Sequence, residues 1–339
     1  MIYSSSYIIS EFKYNNPYKY VLHQSLFFII GSILMFIFSK IDYNIYKKYA
    51  NTFLGICFLL LLLVLIPGIG TVRNGSRSWF RLFGFSFQPS ELLKLSLIIF
   101  TSKYLSNNDQ YKRNTIKFMA PLLLVIGFFF FLILLEPDFG SGFVIVCSLI
   151  GLILISGTNL SIFYKIGALG LIGLVVLIII APYRLDRITS FINPWSDPLG
   201  SGFQMIQSMY AIGPGGLLGF GFLNSKQKHF YLPEPQTDFI FSIISEEFGF
   251  IGCLFLILVF VFLYYQIIKV SLNQTDLFAK YLSFGLCFLL IFQTLLNLSV
   301  VVGLVPITGV TLPFISYGGS SLLVSMISIG IILNVSKNN

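Results

Sequence analysis

The sequence predicts an all-α polytopic membrane protein, because long apolar runs recur along the chain and charged residues are scarce. Apolar residues make up 56% of the 339 positions and charged residues only 10%. An ordinary soluble domain carries roughly 25% charged residues. So little charge cannot cover a soluble surface, which excludes a soluble globular enzyme, a disordered tail and a fibrous repeat.

Nine stretches are long and apolar enough to be candidate membrane spans, since a spanning helix needs about 20 predominantly apolar residues. They lie near 21–39, 51–66, 90–105, 118–135, 142–158, 163–181, 243–268, 280–304 and 317–335. Because no hydrophilic stretch is large enough to fold alone, residues 1–339 form a single integral membrane domain. The longest non-apolar stretch, 182–238, is a Gly- and Pro-rich loop, and a loop of that length is usually functional.

The basic residues predict the orientation in the membrane and exclude a nucleic-acid partner. They lie singly between apolar runs and do not gather on one face, so the net charge of +8 does not indicate nucleic-acid binding. The connections near 40–50, 103–117, 159–165, 269–280 and 336–339 hold eleven Lys and Arg, against nine on the longer opposite side. The first side is therefore predicted to be cytoplasmic, with 67–89 and 182–238 facing outward.

The predicted orientation places Met1 outside the cell, which needs an explanation. Nine spans with a cytoplasmic C-terminus force this position, yet residues 1–10 resemble the outer end of a span whose beginning is missing. We therefore expect a further apolar helix upstream of Met1.

The acidic residues concentrate on the predicted outer side. Ten of the thirteen lie there or near the outer helix ends: Glu11, Glu91, Glu136, Asp138, Asp186, Asp197, Glu234, Asp238, Glu246 and Glu247. Ionisable groups at a membrane edge are energetically costly and mark functional sites by default.

Asp238 stands out among these acidic residues because it follows two prolines, at a point where a helix is predicted to begin at Thr237 or Asp238. In such a helix Asp238 heads a polar stripe with Ser242, Ser245, Glu246 and Gly249, and a polar stripe on a membrane helix faces protein or a water-filled cavity. The alternative is that Asp238 is simply a helix N-cap.

Two further motifs carry charge at predicted helix ends. Glu91 and Lys94 follow Gln88-Pro-Ser at spacing i, i+3, which places them on one helix face, either as a structural ion pair or as substrate contacts. Glu136-Pro-Asp-Phe-Gly-Ser-Gly combines two carboxylates with a helix-breaking proline, which suits irregular backbone lining a cavity.

Together these segments resemble the SEDS proteins of cell shape, elongation, division and sporulation, which include FtsW, RodA and SpoVE. The matching stretches are Asn74-Gly-Ser-Arg-Ser-Trp-Phe, Phe87-Gln-Pro-Ser-Glu-Leu-Leu-Lys-Leu, Glu136-Pro-Asp-Phe-Gly-Ser-Gly, Pro182-Tyr-Arg through Ser196-Asp-Pro, the Gly-rich residues 201–216, Tyr231-Leu-Pro-Glu-Pro-Gln-Thr-Asp-Phe-Ile-Phe and Leu312-Pro-Phe-Ile-Ser-Tyr-Gly-Gly-Ser-Ser. The sequences of 182–198 and 233–238 resemble the FtsW and SpoVE branch more closely than RodA. The resemblance implies a ten-helix bundle, of which this sequence shows nine helices and lacks the first.

The resemblance also implies an activity, a substrate and a partner. The activity is peptidoglycan glycosyl transfer, which polymerises lipid II into undecaprenyl-linked glycan strands on the outer face of the cytoplasmic membrane during division or sporulation. The expected partners are membrane lipid and a single-pass class B penicillin-binding transpeptidase.

Inverting transfer to a GlcNAc hydroxyl needs a base, and Asp238 is carried over as that base. Residues expected to bind substrate are Arg77, Trp79, Glu91, Lys94, Asp138, Arg187, Lys226 and Lys228. A divalent cation, Mg²⁺ or Mn²⁺, bridging pyrophosphate through Asp138 and Glu136 is a further expectation.

Two alternatives from other classes stay open. A lipid II flippase also needs many spans and a polar cavity, but it requires polar residues at several depths and on both sides. The acidic residues here crowd one side, which favours chemistry at a surface. A non-catalytic scaffold for the transpeptidase would not need Asp238.

Overall fold

The computed structural model describes residues 1–73, 75–82, 85–108, 116–159 and 189–337, together with 161, 163, 164, 167, 170 and 173. Within these residues the chain is mostly helical. The helices are α1 (Ile2–Tyr14), α2 (Lys19–Phe38), α3 (Tyr43–Leu65), α4 (Pro89–Asn107), α5 (Ile116–Leu135), α6 (Phe139–Ile155), α7 (Phe203–Ile212), α8 (Ile240–Leu272), α9 (Leu277–Val301) and α10 (Gly319–Lys337).

Six of the described helices are long and apolar enough to cross a membrane: α2, α3, α5, α8, α9 and α10. Each overlaps a predicted span, which confirms a multi-pass membrane protein, although α3 begins at Tyr43 and not near 51 as predicted. The predicted spans 90–105 and 142–158 are also helical, as α4 and α6, although α4 is mostly buried and α6 has only 17 residues. The predicted span 163–181 lies outside the contiguous residues that the structure describes.

The N-terminal quarter contains a helix and a small sheet in addition to the predicted spans. Residues 2–14 form the helix α1, whose Ser4, Ser5, Ser6 and Ser10 are buried. The interval before α4 is not a plain loop but an antiparallel sheet of β1 (Gly70–Arg73), β2 (Ser76–Leu82) and β3 (Phe85–Phe87). The β1–β2 turn includes Gly75 at φ 81°, a conformation that glycine adopts without strain.

The described chain forms two compact units. The first comprises residues 1–25, 161–262 and 293–318, and it includes α1, α7, the first part of α8 and the segment after α9. The second comprises residues 26–160, 263–292 and 319–339, and it includes α3, the sheet, α4 to α6 and α10. Of the predicted site residues, Lys226, Lys228 and Asp238 lie in the first unit. The second unit contains Arg77, Trp79, Glu91, Lys94, Glu136 and Asp138.

Within the first unit, α8 is interrupted at Gly249, whose φ of 61° and ψ of −162° are not helical. A regular helix would bond the N–H of Phe250 to the carbonyl of Glu246. Instead the Phe250 N–H donates to Gly216 at 2.9 Å, and the Glu246 carbonyl accepts from Phe220 at 3.0 Å. Residues 216–221, called the inserted loop below, thus satisfy backbone groups that the interruption leaves open, as a membrane helix requires.

The inserted loop approaches the helix so closely that only glycine fits at the contact. A Cβ atom on Gly249 would lie 2.4 Å from the backbone nitrogen of Gly219, and one on Gly219 would lie 2.3 Å from the Glu247 carbonyl carbon. Distances under 3.0 Å are essentially never found for real Cβ atoms. The glycines of 215–221 and Gly249 therefore determine where the long loop meets α8.

Candidate active site

Asp238 lies in an irregular segment directly before α8, in the first unit. The prediction that the helix begins at Thr237 or Asp238 is wrong, because α8 begins at Ile240. A turn delays the helix start: the Thr237 N–H donates to the Glu234 carbonyl at 3.1 Å, and the Thr237 hydroxyl donates to the same carbonyl at 3.2 Å. Asp238 therefore does not head a helical stripe, whereas Ser242, Ser245 and Glu246 do lie buried in α8.

The surroundings of Asp238 combine partial exposure with a fixed backbone. The residue is half-buried, and its carbonyl accepts a hydrogen bond from the Asn297 side-chain amide at 2.8 Å. Its carboxylate lies against the backbone of Gly309, where an added Cβ would be 3.7 Å from Oδ2. A carboxylate that is held in place and still reachable can accept a proton from a substrate hydroxyl.

In the second unit, the start of α4 carries a buried ion pair. Lys94 Nζ lies 2.7 Å from Glu91 Oε1, and the two side chains are 1% and 7% exposed. The predicted i, i+3 pairing is confirmed.

Asp138 belongs to a polar cluster at the same end of α4. Its Oδ2 accepts from Gln88 Nε2 at 2.7 Å and from the Ser90 hydroxyl at 3.2 Å, while Oδ1 accepts from the N–H of Ser141 at 3.2 Å. Asp138 is thus the N-cap of α6 and a link to the Gln88-Pro-Ser segment. Gln88 and Ser90 were named only as the segment before Glu91, and no contact with Asp138 was predicted for them, although a polar pair flanking a proline at a membrane edge was a usable signal.

Glu136 is the most isolated acidic group among the described residues. It lies just after α5, is fully buried, and neither carboxylate oxygen has a hydrogen-bond partner within the described chain. Burial, reinforced by the nearby Asp138 charge, raises the pKa of the Glu136 carboxyl to about 9. The group is therefore a neutral carboxylic acid at pH 7.

The sheet presents the two other candidates of the second unit. Arg77 and Trp79 lie on β2 and are half-buried. Arg77 Nη1 lies 3.4 Å from the Leu65 carbonyl, and Trp79 is paired with Thr71 across the β1–β2 ladder. Their roles in substrate binding stay predictions.

The predicted loop cations differ from one another. Lys226 is exposed, with its ammonium 5.7 Å from the Phe220 ring centroid. Lys228 was expected to contact substrate, but its side chain is buried. Its Nζ lies 2.8 Å from Glu247 Oε1 and 3.2 Å from the Ser4 hydroxyl. The ammonium is therefore paired inside the protein, and its two contacts connect residues 225–228 with α8 and α1. Arg187 lies outside the described residues.

Glu246, next to Glu247, is held by the same loop. Its carboxylate accepts from the Ser225 hydroxyl, from the N–H of Lys226 at 2.7 Å and from the N–H of Gln227 at 3.3 Å. Three donors on one carboxylate fix its position against residues 225–227. Both glutamates are among the predicted outer acidic residues, and in the structure their carboxylates bind residues 225–228.

The carboxylates proposed for a divalent cation do not fit one. Asp138 Oδ2 already accepts two hydrogen bonds and Oδ1 accepts a third, so this carboxylate is engaged within the protein. Across the described part of the chain, no three His, Cys, Asp or Glu side chains lie close enough together to hold a metal ion. The reaction proposed below has no step that passes through a metal.

The fold and the placement of these groups define a polytopic membrane protein with carboxylates and cations at helix ends and in the irregular segments next to them. The chain belongs to the FtsW/RodA/SpoVE family of cell cycle proteins, whose family model matches residues 1–339.

Relatives align with almost the whole chain. The stage V sporulation protein E of Bacillus subtilis (strain 168) is 46% identical over 337 residues, which cover 99% of this chain and 92% of that protein. A probable peptidoglycan glycosyltransferase FtsW of Geobacter sp. (strain M18) is 40% identical, with the same two coverages.

Solved structures share the fold. A chain from a peptidoglycan synthase complex, described for its structural coordination of polymerization and crosslinking, matches with a TM-score of 0.78 at 29% identity, covering 99% of this chain and 95% of that one. The rod shape determining protein RodA of Thermus thermophilus matches with a TM-score of 0.70 at 26% identity, covering 99% and 93%.

Proposed function

We propose that this chain is a peptidoglycan glycosyltransferase that polymerises lipid II on the outer face of the cytoplasmic membrane, with Asp238 as the general base. The observation that carries the proposal is the half-buried Asp238, whose backbone carbonyl accepts a hydrogen bond from the Asn297 side chain just before a membrane helix. Family membership and relatives named peptidoglycan glycosyltransferase support the same activity.

The reaction needs one base and no covalent intermediate. The 4-hydroxyl of the acceptor GlcNAc attacks the anomeric carbon of the donor sugar, a new C–O bond forms, and the bond from that carbon to the polyprenyl pyrophosphate breaks. The hydroxyl proton passes to the Asp238 carboxylate, and the electron pair leaves with the pyrophosphate. One displacement converts the α-linked donor into a β-linked product, as an inverting transferase does.

Positive charge is needed where the pyrophosphate departs. Arg77 and Lys94 are proposed for this role, because each lies in a segment that carries the family resemblance. Arg77 is half-buried on β2, and Lys94 is buried beside Glu91. Trp79, Lys226 and Asp138 are proposed as further substrate contacts. The Lys228 ammonium contacts Glu247 on α8 and Ser4 on α1, and we propose that it orders residues 225–228.

A transpeptidase is the proposed partner, since newly made strands must be crosslinked. The similarity to a chain of a complex that coordinates polymerization and crosslinking supports a class B penicillin-binding protein in this role. The relatives include a sporulation protein and an FtsW protein, so a role in sporulation or division is proposed.

Reconstitution with purified lipid II tests the activity. The protein is placed in proteoliposomes with and without the transpeptidase, whose active site is blocked by penicillin, and the products are separated by gel electrophoresis. Formation of glycan strands supports the proposal. Movement of labelled lipid II between leaflets without any polymer would instead identify a flippase and overturn it.

A further inference from the structure

We propose that Asn297 and Ser316 are positioning residues that fix the backbone of the Asp238 segment against residues 309–317, an inference that rests on the proposed role of Asp238. Both side chains lie in the first unit, and neither was singled out by the sequence analysis. They are 1% and 4% exposed.

Three consecutive carbonyls of the Asp238 segment are each satisfied from outside that segment. The Gln236 carbonyl accepts from the N–H of Tyr317 at 2.8 Å. The Thr237 carbonyl accepts from the Ser316 hydroxyl at 2.6 Å, and the Asp238 carbonyl accepts from Asn297 Nδ2 at 2.8 Å. All three carbonyls thus have partners outside the 236–238 segment. The backbone that carries the Asp238 carboxylate therefore has little freedom to shift.

Asn297 holds two segments at once. The same Nδ2 that bonds the Asp238 carbonyl also donates to the Val310 carbonyl at 2.8 Å. Val310 follows Gly309, whose backbone lies against the Asp238 carboxylate. One amide thus sets the distance between the segment that carries the carboxylate and the segment that the carboxylate faces.

The orientation of the Asn297 amide follows from its partners. Two carbonyls can be bonded only by the amide nitrogen, because the amide oxygen would repel both. In this orientation Oδ1 is buried without a hydrogen-bond partner in the described chain. A buried unpaired acceptor destabilises a fold. The fold tolerates that cost in the one arrangement that joins both carbonyls.

Ser316 has the same double role. Its hydroxyl donates to the Thr237 carbonyl and accepts from the N–H of Leu312 at 2.9 Å. Alanine at 316 would leave one acceptor and one donor unpaired, whereas threonine would keep the hydroxyl. Ser316→Ala and Ser316→Thr therefore separate the loss of these bonds from a change in packing.

The variants Asn297→Leu, Ser316→Ala and Ser316→Thr should be assayed for lipid II polymerisation by the full-length protein with its partner. A misplacement of about 1 Å costs up to roughly 100-fold in rate. We expect Asn297→Leu and Ser316→Ala to lower kcat about 10–100-fold with KM nearly unchanged. Substrate binding does not need the hydrogen bonds that Asn297 and Ser316 donate to the Asp238 segment. Ser316→Thr should retain most of the activity.

Two controls test whether the contact to the Asp238 segment is what matters. Gln293→Leu, on the same helix α9, removes a hydrogen bond to the Thr311 carbonyl at 3.1 Å and leaves the carbonyls of 236–238 bonded. Ser283→Ala, also on α9, removes a buried hydroxyl that donates within its own helix. A kcat loss in Gln293→Leu equal to that in Asn297→Leu would overturn the proposal, as would an Asn297→Leu protein with wild-type kcat.

Hydrogen–deuterium exchange gives a readout that does not depend on catalysis. In Asn297→Leu and Ser316→Ala, amides in 309–317 and 236–240 should exchange faster than in wild type, while Ser283→Ala leaves them unchanged. Unaltered exchange in both variants would refute the positioning role of Asn297 and Ser316, even if kcat falls. If wild type polymerises nothing, the proposed function fails. Faster exchange in these two segments would still support the positioning role of Asn297 and Ser316.

Discussion

Replacing one member of the Glu91–Lys94 pair should destabilise the protein more than replacing both. The two charged atoms are 2.7 Å apart, and the side chains are 1% and 7% exposed. At an effective dielectric constant of 20, two unit charges at this distance attract by about 6 kcal/mol. Desolvation costs several kcal/mol for each ion, so the intact pair contributes little net stability.

The single variants lose the attraction and keep the desolvation cost of the remaining ion. Lys94→Met and Glu91→Gln should each destabilise the protein by about 3–5 kcal/mol, whereas the double variant should recover most of that loss. Lys103→Met is the matched control, because this lysine is on the same helix and contacts Asn51 at the surface. A surface substitution of this kind should change stability by at most about 0.5 kcal/mol.

Folded yield and apparent melting temperature in detergent measure stability, and lipid II polymerisation measures function. We expect the double variant to regain wild-type yield but to remain inactive, because the cation proposed for the pyrophosphate is gone. Single variants as stable as the double variant would refute the energetic reasoning. A double variant with wild-type polymerisation would show that the pair is purely structural.

Three other perturbations test further parts of the structure. Lys228→Met should reduce folded yield by leaving Glu247 buried without its cation, and adding Glu247→Gln should restore it. Gly249→Ala should lower the melting temperature by several degrees, because φ at this position is 61° and the added Cβ would collide with the inserted loop. The control Gly213→Ala should be nearly neutral, since nothing lies within 4 Å of a Cβ added there. Glu136 binds its proton in the folded state up to a pKa of about 9 and loses it near 4.5 when unfolded. Its contribution to stability therefore falls as pH rises through that window, by up to about 1.4 kcal/mol per unit. Glu136→Gln should flatten this decline in melting curves between pH 5 and 9, and parallel curves would contradict the assignment.

The parts of the fold that follow from composition were predictable. Apolar runs report burial in lipid directly, so helices such as α2, α5 and α9 were found within a few residues of their bounds. The i, i+3 pairing of Glu91 with Lys94 was also predictable, because helix geometry alone brings them together.

The missed features depend on contacts distant in sequence. The interruption of α8 at Gly249 is stable only because the inserted loop bonds the open backbone groups, and no local pattern encodes that loop's position. For the same reason the burial of Lys228 could not be inferred, since its partners Glu247 and Ser4 are 19 and 224 residues away. The start of α8 was misplaced because the turn at 234–237 competes with the helix.

The role of Asp238 is tested most directly by comparing wild type with Asp238→Asn in the lipid II polymerisation assay. The variant keeps the size of the side chain and removes its ability to accept the proton. We predict wild-type expression, membrane insertion and melting temperature, with polymerisation reduced by about 10²–10⁴-fold. Near-wild-type glycan synthesis by an equally folded Asp238→Asn protein would contradict the central claim.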